Sequence, residues 1–136
     1  MQRSREDTMR QLLAARAADD FDAALDCITE DVVIDASRRL FDPVVLHGHD
    51  GFLAFVSMLD EAWKSQHVEP LEFIERGDAL VVPVRLVSTG RGSGIEVGAT
   101  PAWVATFRGD KIATWTVYQS REDALADVPG EDGVRG

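Results

Sequence analysis

Between Gln66 and Ser120 the chain is a succession of long, largely apolar, β-prone segments cut by Gly-rich turns. Val68 to Glu75 predicts a strand, Arg76-Gly77-Asp78 a turn, and Ala79 to Thr89 a long strand dense in Val and Leu. Gly90 to Gly94 predicts a flexible loop. Ile95 to Arg108 predicts another long strand, with Pro101 at a bulge or an edge. Gly109-Asp110 makes a hairpin turn into the last strand, Lys111 to Ser120. Arg-Gly-Asp therefore occurs twice, each time as turn chemistry between strands rather than as an adhesion signal.

Helical periodicity precedes the strands. Met9, Leu12, Leu13, Arg16 and Ala17 predict a first helix, and Phe21, Ala24, Leu25 and Ile28 a second, separated by Asp19-Asp20. Asp31 to Ser37 predicts a short strand, with Val33 and Asp35 on one face and Val32, Ile34 and Ala36 on the other. After the break at Asp42-Pro43, Gly48 to Gly51 turns into a third helix with Asp50 as N-cap. Phe52, Phe55, Val56, Leu59 and Trp63 form its stripe. Ser120 is expected to cap a short C-terminal helix holding Ala124 and Leu125. The expected organisation is one domain over residues 1–128 and a frayed tail over 129–136.

A two-residue turn at Gly109-Asp110 pairs Phe107 with Ile112, Ala105 with Thr114 and Trp103 with Thr116 on one face. It pairs Val104 with Trp115 and Ala102 with Val117 on the other. Both faces are then apolar, whereas a solvated face would be more polar. One face is expected to pack on the helices and surround a pocket, the other to be covered by a second copy in a homodimer.

The formal net charge is -10, a field that repels a phosphate backbone, and Arg38-Arg39 and Arg91 are too short and isolated to form a basic patch. Nucleic acid is excluded as a partner on this ground. No apolar run approaches the roughly 20 residues that span a bilayer, so no membrane is expected. Met1 to Asp7 lacks a signal-peptide stretch, and Cys27 is the single cysteine, so a cytoplasmic setting is expected. Cys27 sits among apolar residues in a helical pattern and is expected to be buried and inert.

The pieces DVVIDA (Asp31 to Ala36), HGHDGF (His47 to Phe52), RGDALVVPVRL (Arg76 to Leu86), GRGSGIEV (Gly90 to Val97) and FRGDKIATWTVYQSREDAL (Phe107 to Leu125) carry a family pattern in their order and spacing. Over about Thr8 to Asp127 the chain resembles the SnoaL-like members of the nuclear transport factor 2-like superfamily. The resemblance implies an α+β fold: a cone-shaped barrel of a curved, mixed, mainly antiparallel sheet packed on about three helices, with a short C-terminal helix. It also implies a pocket at the wide end and a dimer. The family includes polyketide cyclases, ketosteroid isomerases, dehydratases, epoxide hydrolases and proteins that only bind ligands or partners, so the fold alone does not choose among them.

Enzymes of the family place a carboxylate or His in an apolar pocket, where burial tunes it for proton transfer. Asp35 is the candidate general base, among Val and Ile on the first strand, and His47 the second candidate. Arg85 interrupts an apolar strand and must be paired or reach water; it is a candidate for an anionic or carbonyl group, or a partner of Glu96 or Glu72. Trp63, Trp103 and Trp115 are candidate pocket walls, with core or interface packing as the alternative for each. Gln119 is a candidate polar pocket group, with Tyr118 turned toward the interface or a helix. His47-x-His49 lacks a third ligand, so no metal site is expected, and His49 is expected to face water in its turn. Gly90 to Gly94 lies between strands rather than before a helix, and no cofactor is expected. Where relatives carry an acid on the last strand, this chain offers Val117 and Gln119. Three functions remain open: a cofactor-free isomerase, cyclase or dehydratase acting on an apolar carbonyl compound; a protein that binds a small apolar ligand without turnover; or a dimeric interaction module with a vestigial pocket.

Overall fold

Val- and Leu-rich sequence favours extended backbone because β-branched and bulky side chains pack well on a pleated surface. In the computed structural model, which describes residues 3–39 and 43–128, the run from Ala79 forms one 12-residue strand around which the sheet is organised. The element order is α1 (Arg5–Ala17), α2 (Phe21–Leu25), β1 (Ile28–Ala36), β2 (Val44–His47), α3 (Gly48–Ala62), β3 (Trp63–Pro70), β4 (Ile74–Arg76), β5 (Ala79–Gly90), β6 (Glu96–Ala99), β7 (Ala102–Arg108), β8 (Lys111–Tyr118) and α4 (Arg121–Asp127). The architecture is α+β, with four helices and one eight-stranded sheet among the described residues. The strand order is β2-β1-β8-β7-β5-β3, with β4 and β6 also paired to β5. The sheet is mixed because β1 runs parallel to β8 while the other pairs are antiparallel.

The first half of β5 is flanked by β4 and β7, the second half by β3 and β6. The long strand expected from Ile95 to Arg108 is thus two strands, broken at Thr100-Pro101. Pro101 has no N–H to give a ladder, but its carbonyl accepts from Val84 N at 3.0 Å, so the break stays bonded to β5. Gly77 at φ 58° and Gly109 at φ 65° supply the left-handed turns at the two Arg-Gly-Asp sites.

Three boundaries differ from the periodicity. Ile28 begins β1 instead of ending α2. Trp63 leaves α3 for β3, its backbone already extended at φ -127° and ψ 139°. The N-cap of α3 is His47, without a side-chain cap bond, rather than Asp50. That corner is set by Gly48 at φ 75°, where a Cβ would lie 3.2 Å from the Glu30 carbonyl oxygen. Ser120 does cap α4, its Oγ accepting from Asp123 N at 3.1 Å.

The register of β7 on β8 differs too. Phe107 pairs with Ile112 as expected, but Thr106 pairs with Thr114, leaving Ala113 as a bulge. Trp103 then faces Val117, not Thr116, and Ala105 faces Trp115. A shift of one residue exchanges faces, so Trp103 and Trp115 come to the same side, with ring centroids 5.0 Å apart at 66°. That side is the main core, with Leu80, Val82, Val84 and Ala105 against Met9, Leu12, Phe52, Phe55 and Val56 from α1 and α3. On the opposite face, Val81, Ala102, Val104 and Tyr118 are covered by Ala124 of α4, with Ile74, Leu125 and Val128 alongside. Part of the cover expected from a second copy is therefore supplied by α4. The tail expected over 129–136 lies outside the described residues.

Candidate functional site

Helices laid over a sheet close it only where their side chains reach the strands. Between α1, α3 and the β3, β5 and β6 end of the sheet they do not meet, leaving a cavity of about 690 Å³. That is within the usual range of roughly 300–1,000 Å³ for small-molecule sites. Its floor is aromatic and aliphatic: Phe52, Phe55, Trp63, Trp103, Trp115 and Val117 all line it. The Ala113 bulge brings Trp115 to this floor beside Trp103, and the end of α3 brings Trp63.

The polar lining separates into satisfied and unsatisfied groups. Gln66 Nε2 donates to Ser88 Oγ at 3.0 Å, a cross-strand pair between β3 and β5. The carboxylates of the lining are Asp19 and Asp60, and both engage Arg16, at 3.4 and 2.8 Å. Arg91 Nε donates to the Asp60 carbonyl at 2.7 Å. By contrast, Arg39 Nη1 and Trp115 Nε1 are buried with no hydrogen-bond partner among the described residues. An unpaired buried donor costs about 1–3 kcal/mol. The Arg39 guanidinium lies 5.6 Å from the centroid of the Phe55 ring.

Of the candidates drawn from the sequence, Trp63, Trp103 and Trp115 line the cavity, whereas Asp35, His47, Arg85 and Gln119 are not among its lining residues. Asp35 alternates with the buried Ile34 and Ala36, so it points to the other face of β1. There Asp35 Oδ1 accepts from Ser37 Oγ at 2.6 Å and Ser37 N at 3.0 Å, and Arg38 approaches at 3.5 Å. The Ser37 hydroxyl and amide, then the Arg38 charge, hold its carboxyl below the usual range against the opposing effect of burial. A general base tuned by burial would be shifted upward. His47 is exposed at the end of β2. His49, expected to face water, is half-buried with Nε2 3.3 Å from the Ile28 carbonyl oxygen. Arg85 is exposed and pairs at 3.2 Å with Glu69, its cross-strand neighbour, rather than with Glu96 or Glu72. Gln119 lies one residue beyond β8, where strand alternation no longer sets direction; it is exposed and its Nε2 donates to the Arg38 carbonyl at 2.8 Å. Tyr118 turns to α4, donating its hydroxyl hydrogen to Asp127, with Arg38 4.6 Å from its ring centroid.

The sequence reading passed over Arg39 and Arg16 as cavity residues. Arg16 carried a signal: it falls on the apolar stripe of α1, where an exposed cation would be out of place. Arg39 carried none, since the turn after β1 has no periodicity to read. No group of three or more His, Cys, Asp or Glu side chains that could hold a metal ion occurs among the described residues, and no helix there is long and apolar enough to cross a membrane.

The profile of the SnoaL-like domain matches residues 9–115. Among solved structures, an NTF2-like protein of unknown function from Burkholderia pseudomallei is 20% identical with a TM-score of 0.75, covering 93% of this chain and 98% of its own. TerC, co-crystallised with polyporic acid, is 18% identical with a TM-score of 0.77, covering 91% of this chain and 96% of its own. A Mycobacterium tuberculosis protein in complex with estradiol-17beta-hemisuccinate is 17% identical with a TM-score of 0.70, covering 85% and 92%. Comparison with curated proteins gives no match. Identities this low speak to the fold alone.

Proposed function

The chain belongs to the SnoaL-like domain family of the nuclear transport factor 2-like superfamily, and on that premise we propose that it is a small-molecule-binding protein holding an apolar ligand in the aromatic cavity. The observation that carries this reading is the cavity itself: about 690 Å³, floored by Phe, Trp and Val side chains, with few polar groups. In this reading the sheet curves as a cone-shaped barrel whose wide end is the cavity mouth. Two of the fold neighbours, TerC and the Mycobacterium tuberculosis protein, were crystallised with small molecules, which supports a binding role for the fold.

Binding without turnover is favoured over general-base catalysis by the fate of the carboxylates. Those in the lining are committed to Arg16, and Asp35 points away with its carboxyl held ionised. Trp63, Trp103 and Trp115 all line the cavity and are the only tryptophans in the chain. Intrinsic fluorescence therefore reports directly on occupancy. Titration with a panel of apolar aromatic compounds is expected to give saturable fluorescence changes. Leu59→Trp, which fills the cavity, is expected to abolish them with the thermal transition retained. Flat titrations across the panel would refute the reading. Asp35→Asn is expected to leave binding unchanged.

A further inference from the structure

We propose that the ligand carries an anionic oxygen group, a carboxylate or enolate on an otherwise apolar frame, and that Arg39 is its charge anchor. The inference rests on the ligand-binding reading above and deepens it. The first observation is Arg39 itself: it lines the cavity, its guanidinium lies 5.6 Å from the Phe55 ring centroid, and it has no carboxylate partner among the described residues. A guanidinium donates hydrogen bonds and accepts none, so the complementary atom must be an acceptor.

The second observation is charge. The chain carries a formal -10, yet the cavity is lined by Arg16, Arg39, Lys64 and Arg91 against Asp19 and Asp60. Arg16 takes both carboxylates. Arg39, Lys64 and Arg91 make no ion pair among the described residues. An acidic protein has thus gathered uncompensated cations around one apolar cavity, a field that concentrates an anion there. The aromatic floor would hold the ligand's frame, while a carboxylate would meet the planar fork of the guanidinium.

Calorimetric titration at low salt with para-phenylbenzoate and with para-phenylbenzyl alcohol separates the possibilities, because the two probes share a frame and differ in charge. The carboxylate is expected to bind about tenfold or more tightly than the alcohol, the range of one charge-assisted hydrogen bond. Arg39→Met should erase that preference while leaving the alcohol's affinity intact, which also shows that the cavity still forms. Arg39→Lys should restore part of it, and Arg85→Met, outside the cavity, should change nothing. Equal affinity for the two probes, or a preference that survives Arg39→Met, overturns the anion inference and leaves the pocket reading standing. Binding of neither probe overturns both.

Discussion

At the scale of single residues, the polar groups of this protein divide between structural locks and cavity donors. Tyr118 belongs to the first kind. Burial, with the hydrogen bond to Asp127 second, pushes its hydroxyl up to about 12. A raised folded value means that stability from the neutral phenol is complete below the unfolded value of about 10 and is lost as pH rises through the folded one. Tyr118 is the single tyrosine in the chain, so the ultraviolet absorbance of tyrosinate should titrate well above the free phenol. In Asp127→Asn the midpoint should fall. Asp35 has the opposite sign. Its carboxyl is lowered by Ser37 and then Arg38, so its contribution is present above the unfolded carboxylate value and disappears as pH falls through the lower folded one. Urea midpoints should drop on acidification below about pH 4, and Asp35→Asn should flatten part of that slope. Gly48 is a lock of a different kind. Gly48→Ala would force a Cβ into the left-handed region beside the Glu30 carbonyl and is expected to cost about 1–2 kcal/mol in denaturant titration.

At the scale of elements, one inserted residue decides the character of the site. Ala113 bulges out of the β7–β8 pair, and from that point on Trp115 and Val117 share a face with Trp103. Deleting Ala113 would remove the extra residue yet keep Thr106 opposite Thr114 and Ala105 opposite Trp115, so Trp115 is expected to stay on the Trp103 face. The near-ultraviolet circular dichroism of the Trp103–Trp115 pair should then be retained in the deletion variant, and its loss would show that the bulge itself is needed to hold the pair. Helix α4 is the second decisive element. Seven residues, capped by Ser120 and tied by Arg121 to Glu72 at 2.6 Å, cover Val81, Val104 and Tyr118. Neither feature had a strong signature in sequence. A bulge adds one small residue to a strand pattern that remains plausible in either register, and α4 is too short for its amphipathicity to reveal which surface it covers.

At the scale of the whole molecule, five large apolar residues remain exposed among the described residues: Ile95 at 65% and Val97 at 48%, both at the β6 edge, with Phe21 on α2, Val45 on β2 and Leu71 after β3. Homodimerisation through the sheet stays a proposal, narrowed by α4 to the area that helix leaves free. Sedimentation equilibrium should then find twice the 14.9 kDa of one chain, and Val97→Lys should shift the population toward monomer if β6 takes part. A monomer at all concentrations would end the proposal. The sequence by itself determined the α+β class, the helices before the strands, the turns at Gly77 and Gly109, the cap at Ser120 and the family, because periodicity, turn chemistry and capping are local and act within a few residues. Only the tertiary structure decided which side chains meet. Whether Asp35 or Trp115 faces the cavity depends on register and on where a strand ends. Arg39 enters the site from a turn with no pattern, and Arg16 is where the acids of the lining find their partner. Those are relations between residues far apart in the chain, and no local rule carries them.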